Sequence, residues 1–123
     1  MPNIDFILVY QSKLCRVIQI KVLYFNNIYY YGLNVNLNGF GWCFNAGPIP
    51  DDKYPNGKEY PYKANTKYDA VIKALNDILN FLKEHLDGFC REDYDIQYVK
   101  GIINHVFKFK DEYMNSNLQL TLF

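Results

Sequence analysis

The chain has 123 residues, half of them hydrophobic, with aromatic side chains at 18% and a formal net charge of zero at pH 7. This length and apolar content predict one folded domain and argue against an intrinsically disordered chain. A non-specific nucleic-acid binder needs a dense cationic face, and a nucleic-acid mimic needs strong negative charge. The sequence shows neither.

The cysteines and the opening residues bear on the compartment. Cys15, Cys43 and Cys90 are odd in number and widely spaced, which favours reduced thiols in a cytosolic protein over a disulfide framework. The sequence opens without a charged-then-apolar leader and holds no apolar run of membrane-span length. We therefore expect a soluble, cytoplasmic protein that does not act at a membrane.

The first part of the chain has the pattern of β-strands. Residues 4–10 are a short apolar run, and in the segments that follow apolar and polar residues alternate with the two-residue period of a half-buried strand. The predicted strands cover residues 4–10, 14–25, 28–37 and 40–45. Asn26-Asn27 and Asn38-Gly39 accept positive φ angles and predict the turns between them. On the second strand, the face expected to be buried carries Ile18, Ile20, Val22 and Tyr24, and the opposite face carries Gln19, Lys21 and Leu23.

Residues 46–65 predict a long loop, because prolines and glycines interrupt regular structure there. Loops of this length are usually functional or disordered. Tyr54, Tyr60 and Tyr62 argue against full disorder. These tyrosines either pack on the sheet or form a contact surface for a partner.

Two amphipathic helices are predicted after the loop. Thr66 followed by Asp69 is a weak capping box that opens the first helix, and Asp87-Gly88 closes it. The second helix is predicted from about Glu92 to Met114, with an acidic first turn. Its expected buried face consists of Ile96, Val99, Ile103, Val106 and Phe107. Gly101 weakens this helix, so we expect a kink or close packing there.

These elements predict the fold class α+β: a three- to four-stranded antiparallel β-meander, followed by two amphipathic helices packed on one face of the sheet. Residues 1–114 form the single domain, and residues 115–123 form a C-terminal tail.

Residues suited to catalysis or metal binding are few. His85 and His105 have no acidic or cysteine neighbours at ligand spacing, so no metal site is expected. Cys43 has no candidate base near it in sequence. We therefore expect no catalytic residues, no cofactor and no enzymatic activity. Tyr29-Tyr30-Tyr31 allows either core packing or base stacking on the sheet, as in RNA-binding modules.

The last five residues are Gln119-Leu120-Thr121-Leu122-Phe123. They resemble the bacterial sliding-clamp-binding motif, Gln-Leu-(Ser/Asp)-Leu-Phe, with Thr121 as the one departure. The resemblance implies that Leu120, Leu122 and Phe123 enter a hydrophobic groove of the DNA polymerase sliding clamp, while Gln119 hydrogen-bonds in a smaller pocket. Leu118, Leu120 and Leu122 also alternate, so an added edge strand is the competing interpretation.

In its small size, zero net charge and lack of catalytic residues, the chain resembles accessory proteins of phages and mobile elements, among them anti-CRISPR and antirestriction proteins. That resemblance implies a non-enzymatic inhibitor of a host defence nuclease, with a CRISPR effector as one candidate partner. Tyr54, Tyr60 and Tyr62 are then expected at the partner interface. The alternative is a nucleic-acid-binding accessory factor that the clamp recruits to DNA.

Overall fold

The structure, a computed structural model, describes residues 4–12, 17–37, 40–44, 46, 62–88 and 93–122. It describes the backbone alone at residues 40, 87–88, 93–95 and 118–122. The elements in chain order are β1 (Ile4–Tyr10), β2 (Val17–Phe25), β3 (Ile28–Leu37), β4 (Phe40–Phe44), β5 (Lys63–Ala64), α1 (Lys67–Gly88) and α2 (Asp93–Leu122). A sheet followed by two helices confirms the α+β class.

The sheet is antiparallel, and its first four strands lie in the order β1-β2-β3-β4. The turn between β2 and β3 is the predicted one, with φ angles of 52° at Asn26 and 66° at Asn27. The turn predicted at Asn38-Gly39 lies outside the described residues. The short strand β5 pairs with β3, so the end of the segment predicted as a loop is part of the sheet.

The buried face of the sheet follows the predicted alternation at its centre. Ile18 pairs with Val35 and Ile20 pairs with Leu33, and all four side chains are buried. Nearer the β2–β3 turn both faces are buried, because Leu23 and its partner Tyr30 on the opposite face are buried as well as Val22 on the predicted face.

The prediction that Tyr24 belongs to the buried face is wrong, because the residue is 50% exposed. Tyr24 lies next to the turn, and its hydroxyl donates a hydrogen bond to Asn27 Oδ1 at 3.0 Å. That polar partner holds the phenol at the solvent-exposed end of the strand.

The chain forms two compact units, Met1–Ala74 and Leu75–Phe123, and α1 continues from the first into the second. In the first unit, the backbone N–H of Asp69 donates to Thr66 Oγ1 at 3.0 Å. Thr66 therefore caps α1 as predicted, satisfying one N–H of the first turn.

The second unit contains the remainder of α1 and all of α2. Its buried side chains are Leu75, Ile78, Leu79 and Leu82 of α1 and Val99, Ile102, Ile103 and Val106 of α2. The ammonium of Lys110 donates to Asn76 Oδ1 at 2.8 Å, which ties the two helices together. Over the described residues, neither helix has the length and apolar character needed to cross a membrane.

Three expectations for α2 are corrected by the structure. Phe107 is 38% exposed instead of buried, and the Lys83 ammonium lies 5.0 Å from its ring centroid. Ile102 is buried, although the predicted face omitted it. The helix also continues past Met114 to Leu122, so the end of the chain predicted as a tail has a helical backbone.

Candidate functional site

Strand β1 exposes an apolar stripe to solvent. Ile4, Phe6 and Leu8 are 43%, 60% and 52% exposed, and we call these three residues the β1 apolar stripe. Their register partners are alternate residues of β2, so the three lie on one face of the sheet. They are three of the six exposed large hydrophobic side chains among the described residues. An apolar cluster of this kind marks a contact surface more often than scattered single residues do.

The main chain of β1 adds to this surface. Among the described residues, β1 is the outermost strand and pairs with β2 alone. Natural edge strands are commonly protected by charges, prolines or bulges. In β1 the only charged residue is Asp5, and its carboxylate is paired with the Lys67 ammonium at 2.9 Å. The β1–β2 pairing register shifts only between Leu8 and Tyr10. Most of the strand therefore has an apolar face without the usual protection.

An aromatic cluster anchors the residue that precedes β5. The ring of Tyr62 lies 4.3 Å from Phe44 and 5.7 Å from Tyr31, measured between centroids. The Tyr31 N–H also donates to the carbonyl oxygen of Tyr62 at 3.0 Å. Tyr62 thus follows the packing alternative, because its ring lies against those of the sheet. Tyr54 and Tyr60, the other two tyrosines predicted at a partner interface, lie outside the described residues.

The three consecutive tyrosines of β3 serve mainly as core residues. Tyr30 is 1% exposed and Tyr31 is 3% exposed. Tyr29 is half-buried, and its ring lies 4.6 Å from that of Tyr24. Base stacking requires an exposed ring face. In this structure, Tyr30 and Tyr31 do not offer one.

The residue types suited to catalysis or metal binding are cysteines and histidines. Cys43 is an exposed free thiol, and the Lys21 ammonium lies 4.0 Å from its Sγ atom. Cys15 and Cys90 lie outside the described residues. His85 is half-buried and His105 is exposed. Within the described part of the chain, no three His, Cys, Asp or Glu side chains group together in a way that holds a metal ion.

The C-terminal segment forms the end of α2. No side chain between Phe107 and Asn117 is buried, so the buried face of α2 ends at Val106. The backbone remains helical through the expected tether, residues 115–117, and on to Leu122. The side chains of Gln119, Leu120 and Leu122, and the whole of Phe123, lie outside what the structure describes. Their role in docking stays a prediction.

Comparison of the sequence with protein-family models found no match, and comparisons with curated proteins and with solved structures found none either.

Proposed function

We propose that the chain is a non-enzymatic protein-binding protein with two contact regions, the β1 apolar stripe and the C-terminal peptide. The stripe occupies a surface on the main partner, and the peptide docks on the DNA polymerase sliding clamp. The observation that carries the proposal is the exposure of Ile4, Phe6 and Leu8 on one face of an edge strand. Solvent-exposed apolar surface of this kind is stabilised when another protein covers it.

The stripe is large enough to contribute to a specific complex. Full burial of an Ile, Leu or Phe side chain is worth about 1.5–3 kcal/mol. Ile4, Phe6 and Leu8 each still expose roughly half of their surface, so covering all three contributes about 3 kcal/mol in favour of binding. This equals a change in affinity of roughly a hundredfold. The stripe alone is therefore a substantial part of an interface, and other contacts must supply the rest.

The proposal for the second region rests on its sequence. Gln119, Leu120, Leu122 and Phe123 match four fixed positions of the clamp-binding motif. A short apolar peptide of this kind binds a preformed groove at roughly micromolar strength, about −8 kcal/mol. A clamp ring offers several equivalent grooves, which raises the effective concentration of the protein at DNA.

We propose a host defence nuclease, such as a CRISPR effector, as the main partner. The support is the resemblance of this small, neutral chain to anti-CRISPR and antirestriction proteins. Such inhibitors act by occupying a surface of the nuclease. This mode of action depends on exposed apolar side chains more than on a catalytic centre. Tyr54 and Tyr60 remain predicted contributors to that interface.

A nucleic-acid-binding accessory factor is the alternative function. It needs sheet aromatics with free faces, and the burial of Tyr30 and Tyr31 weighs against it. A salt titration of DNA and RNA binding separates the two functions. Steep loss of binding between low and physiological salt supports the nucleic-acid alternative, because counterion release dominates such complexes.

The main test is affinity capture from a bacterial lysate with three baits: the full chain, a chain lacking residues 116–123, and Phe6→Ser. We expect the truncated bait to lose the sliding clamp and keep the main partner. The Phe6→Ser bait should keep the clamp and capture less of the main partner. If the full chain captures neither a defence nuclease nor the clamp, the proposed function is wrong.

A further inference from the structure

The sequence pattern and the backbone conformation disagree at the end of α2. Leu118, Leu120 and Leu122 recur every second residue, which is the period of an extended peptide. The backbone there is helical through Leu122. In an extended peptide, residues two apart point to the same side, whereas in a helix they point to nearly opposite sides. A groove that takes Leu120 and Leu122 together therefore requires the segment to leave the helix.

From this conflict we propose that the end of α2 is a conformational switch: the docking peptide is stored as helix and unwinds when it binds the clamp. The inference rests on the clamp docking proposed above. It adds that docking is opposed by the helical state, so the stability of the last turns sets the apparent affinity. The apparent dissociation constant equals the intrinsic one divided by the unwound fraction.

The last turns of α2 extend beyond the buried face of the helix. Between Phe107 and Asn117 no described side chain is buried, so this part of α2 adds no residue to the apolar core. The rings of Phe109 and Tyr113 stack at 6.3 Å, which is a contact within α2 itself. Asn115, Ser116 and Asn117 are weaker helix formers than Ala. The last turn also carries no basic residue to interact with the negative end of the helix dipole.

Two variants that change the stability of the end of α2 in opposite directions test the switch. Replacing Asn115 and Ser116 by Ala favours the helix, at roughly 0.5 kcal/mol per position. We expect this Asn115→Ala/Ser116→Ala variant of the full chain to bind a purified bacterial sliding clamp roughly fivefold more weakly. Ser116→Pro breaks the helix just before the peptide and should bind more tightly than the unmodified chain.

Matched peptides separate conformation from direct contact. Synthetic peptides of residues 115–123 carrying the same substitutions cannot form a stable helix at this length. They should bind the clamp equally well. Amide hydrogen exchange of the free full-length proteins should show slower exchange at residues 115–122 in the Asn115→Ala/Ser116→Ala variant and faster exchange in Ser116→Pro.

Clamp binding by the full-length variants and by the peptides distinguishes the switch from docking alone. The switch is supported if the two full-length variants shift the clamp affinity in opposite directions while the peptides bind the clamp equally well. Peptides that bind, together with full-length variants that all bind alike, overturn the switch and leave clamp docking intact. If neither the peptides nor the full chain binds the clamp, both the docking and the switch are wrong.

Discussion

Replacing Phe6 by Ser tests the β1 apolar stripe directly. Phe6 is 60% exposed, and full burial of a Phe is worth about 1.5–3 kcal/mol, so a partner that covers this ring gains about 1–2 kcal/mol from it. We therefore expect Phe6→Ser to weaken partner binding roughly tenfold. Less than half of the Phe6 side chain is buried in the folded protein. Phe6→Ser should therefore lower the free energy of unfolding by only about 1 kcal/mol.

Tyr24→Ser is the matched control. Tyr24 is 50% exposed and lies on the opposite face of the same sheet from Phe6. Its loss removes a comparable exposed aromatic ring and should leave partner binding unchanged. Binding is measured by biolayer interferometry with the captured main partner, and stability by urea unfolding of each variant. Equal partner binding by Phe6→Ser and the unmodified chain, with a loss in Tyr24→Ser, would place the interface on the other face.

Three further predictions concern the stability of the fold, each measured by urea or thermal unfolding. Gly101→Ala should stabilise the protein by about 0.5–1 kcal/mol, since a Cβ there has no atom within 4 Å and Ala is the better helix former; a loss of stability would contradict the open space around this position. Gly41→Ala should destabilise by about 1–3 kcal/mol, because the new Cβ would lie 2.7 Å from the backbone oxygen of Val35; unchanged stability would show that the two strands separate easily. Thr66→Ala should cost about 1 kcal/mol through loss of the cap on the Asp69 N–H, and Thr66→Ser should recover most of it.

The sequence predicted the elements that depend on local pattern and turn chemistry. Alternation placed β2 and β3, and Asn26-Asn27 marked their turn because asparagine tolerates positive φ. Thr66 and Asp69 located the start of α1 for an equally local reason. The four main strands and both helices were predictable from such signals.

Features that depend on tertiary neighbours were missed. Strand β5 is two residues long and forms through pairing with β3. No local sequence pattern predicts this pairing. The β1 apolar stripe was also missed, because a continuous apolar run does not say which of its faces remains uncovered. The surroundings of Gly101 could not be predicted either. The sequence allowed close packing there, and in the structure a Cβ added at Gly101 has no atom within 4 Å.

The end of α2 was mispredicted because helix propensity is a weak prior. Asn115, Ser116 and Asn117 indicated a break after Met114, yet a helix already formed over preceding turns extends at low cost. For the candidate site, the sequence identified the C-terminal peptide as the residues to test and left its conformation open.

The most direct test of the proposed function is a calorimetric titration of the full chain into a purified bacterial sliding clamp, beside the double variant Leu122→Ala/Phe123→Ala. We predict measurable binding by the full chain, weaker than the micromolar strength of the free peptide, because two apolar anchors fill one groove, and no measurable binding by the variant. Equal binding by both proteins, or no heat from either, would contradict the proposal that the end of this chain is a clamp-docking peptide.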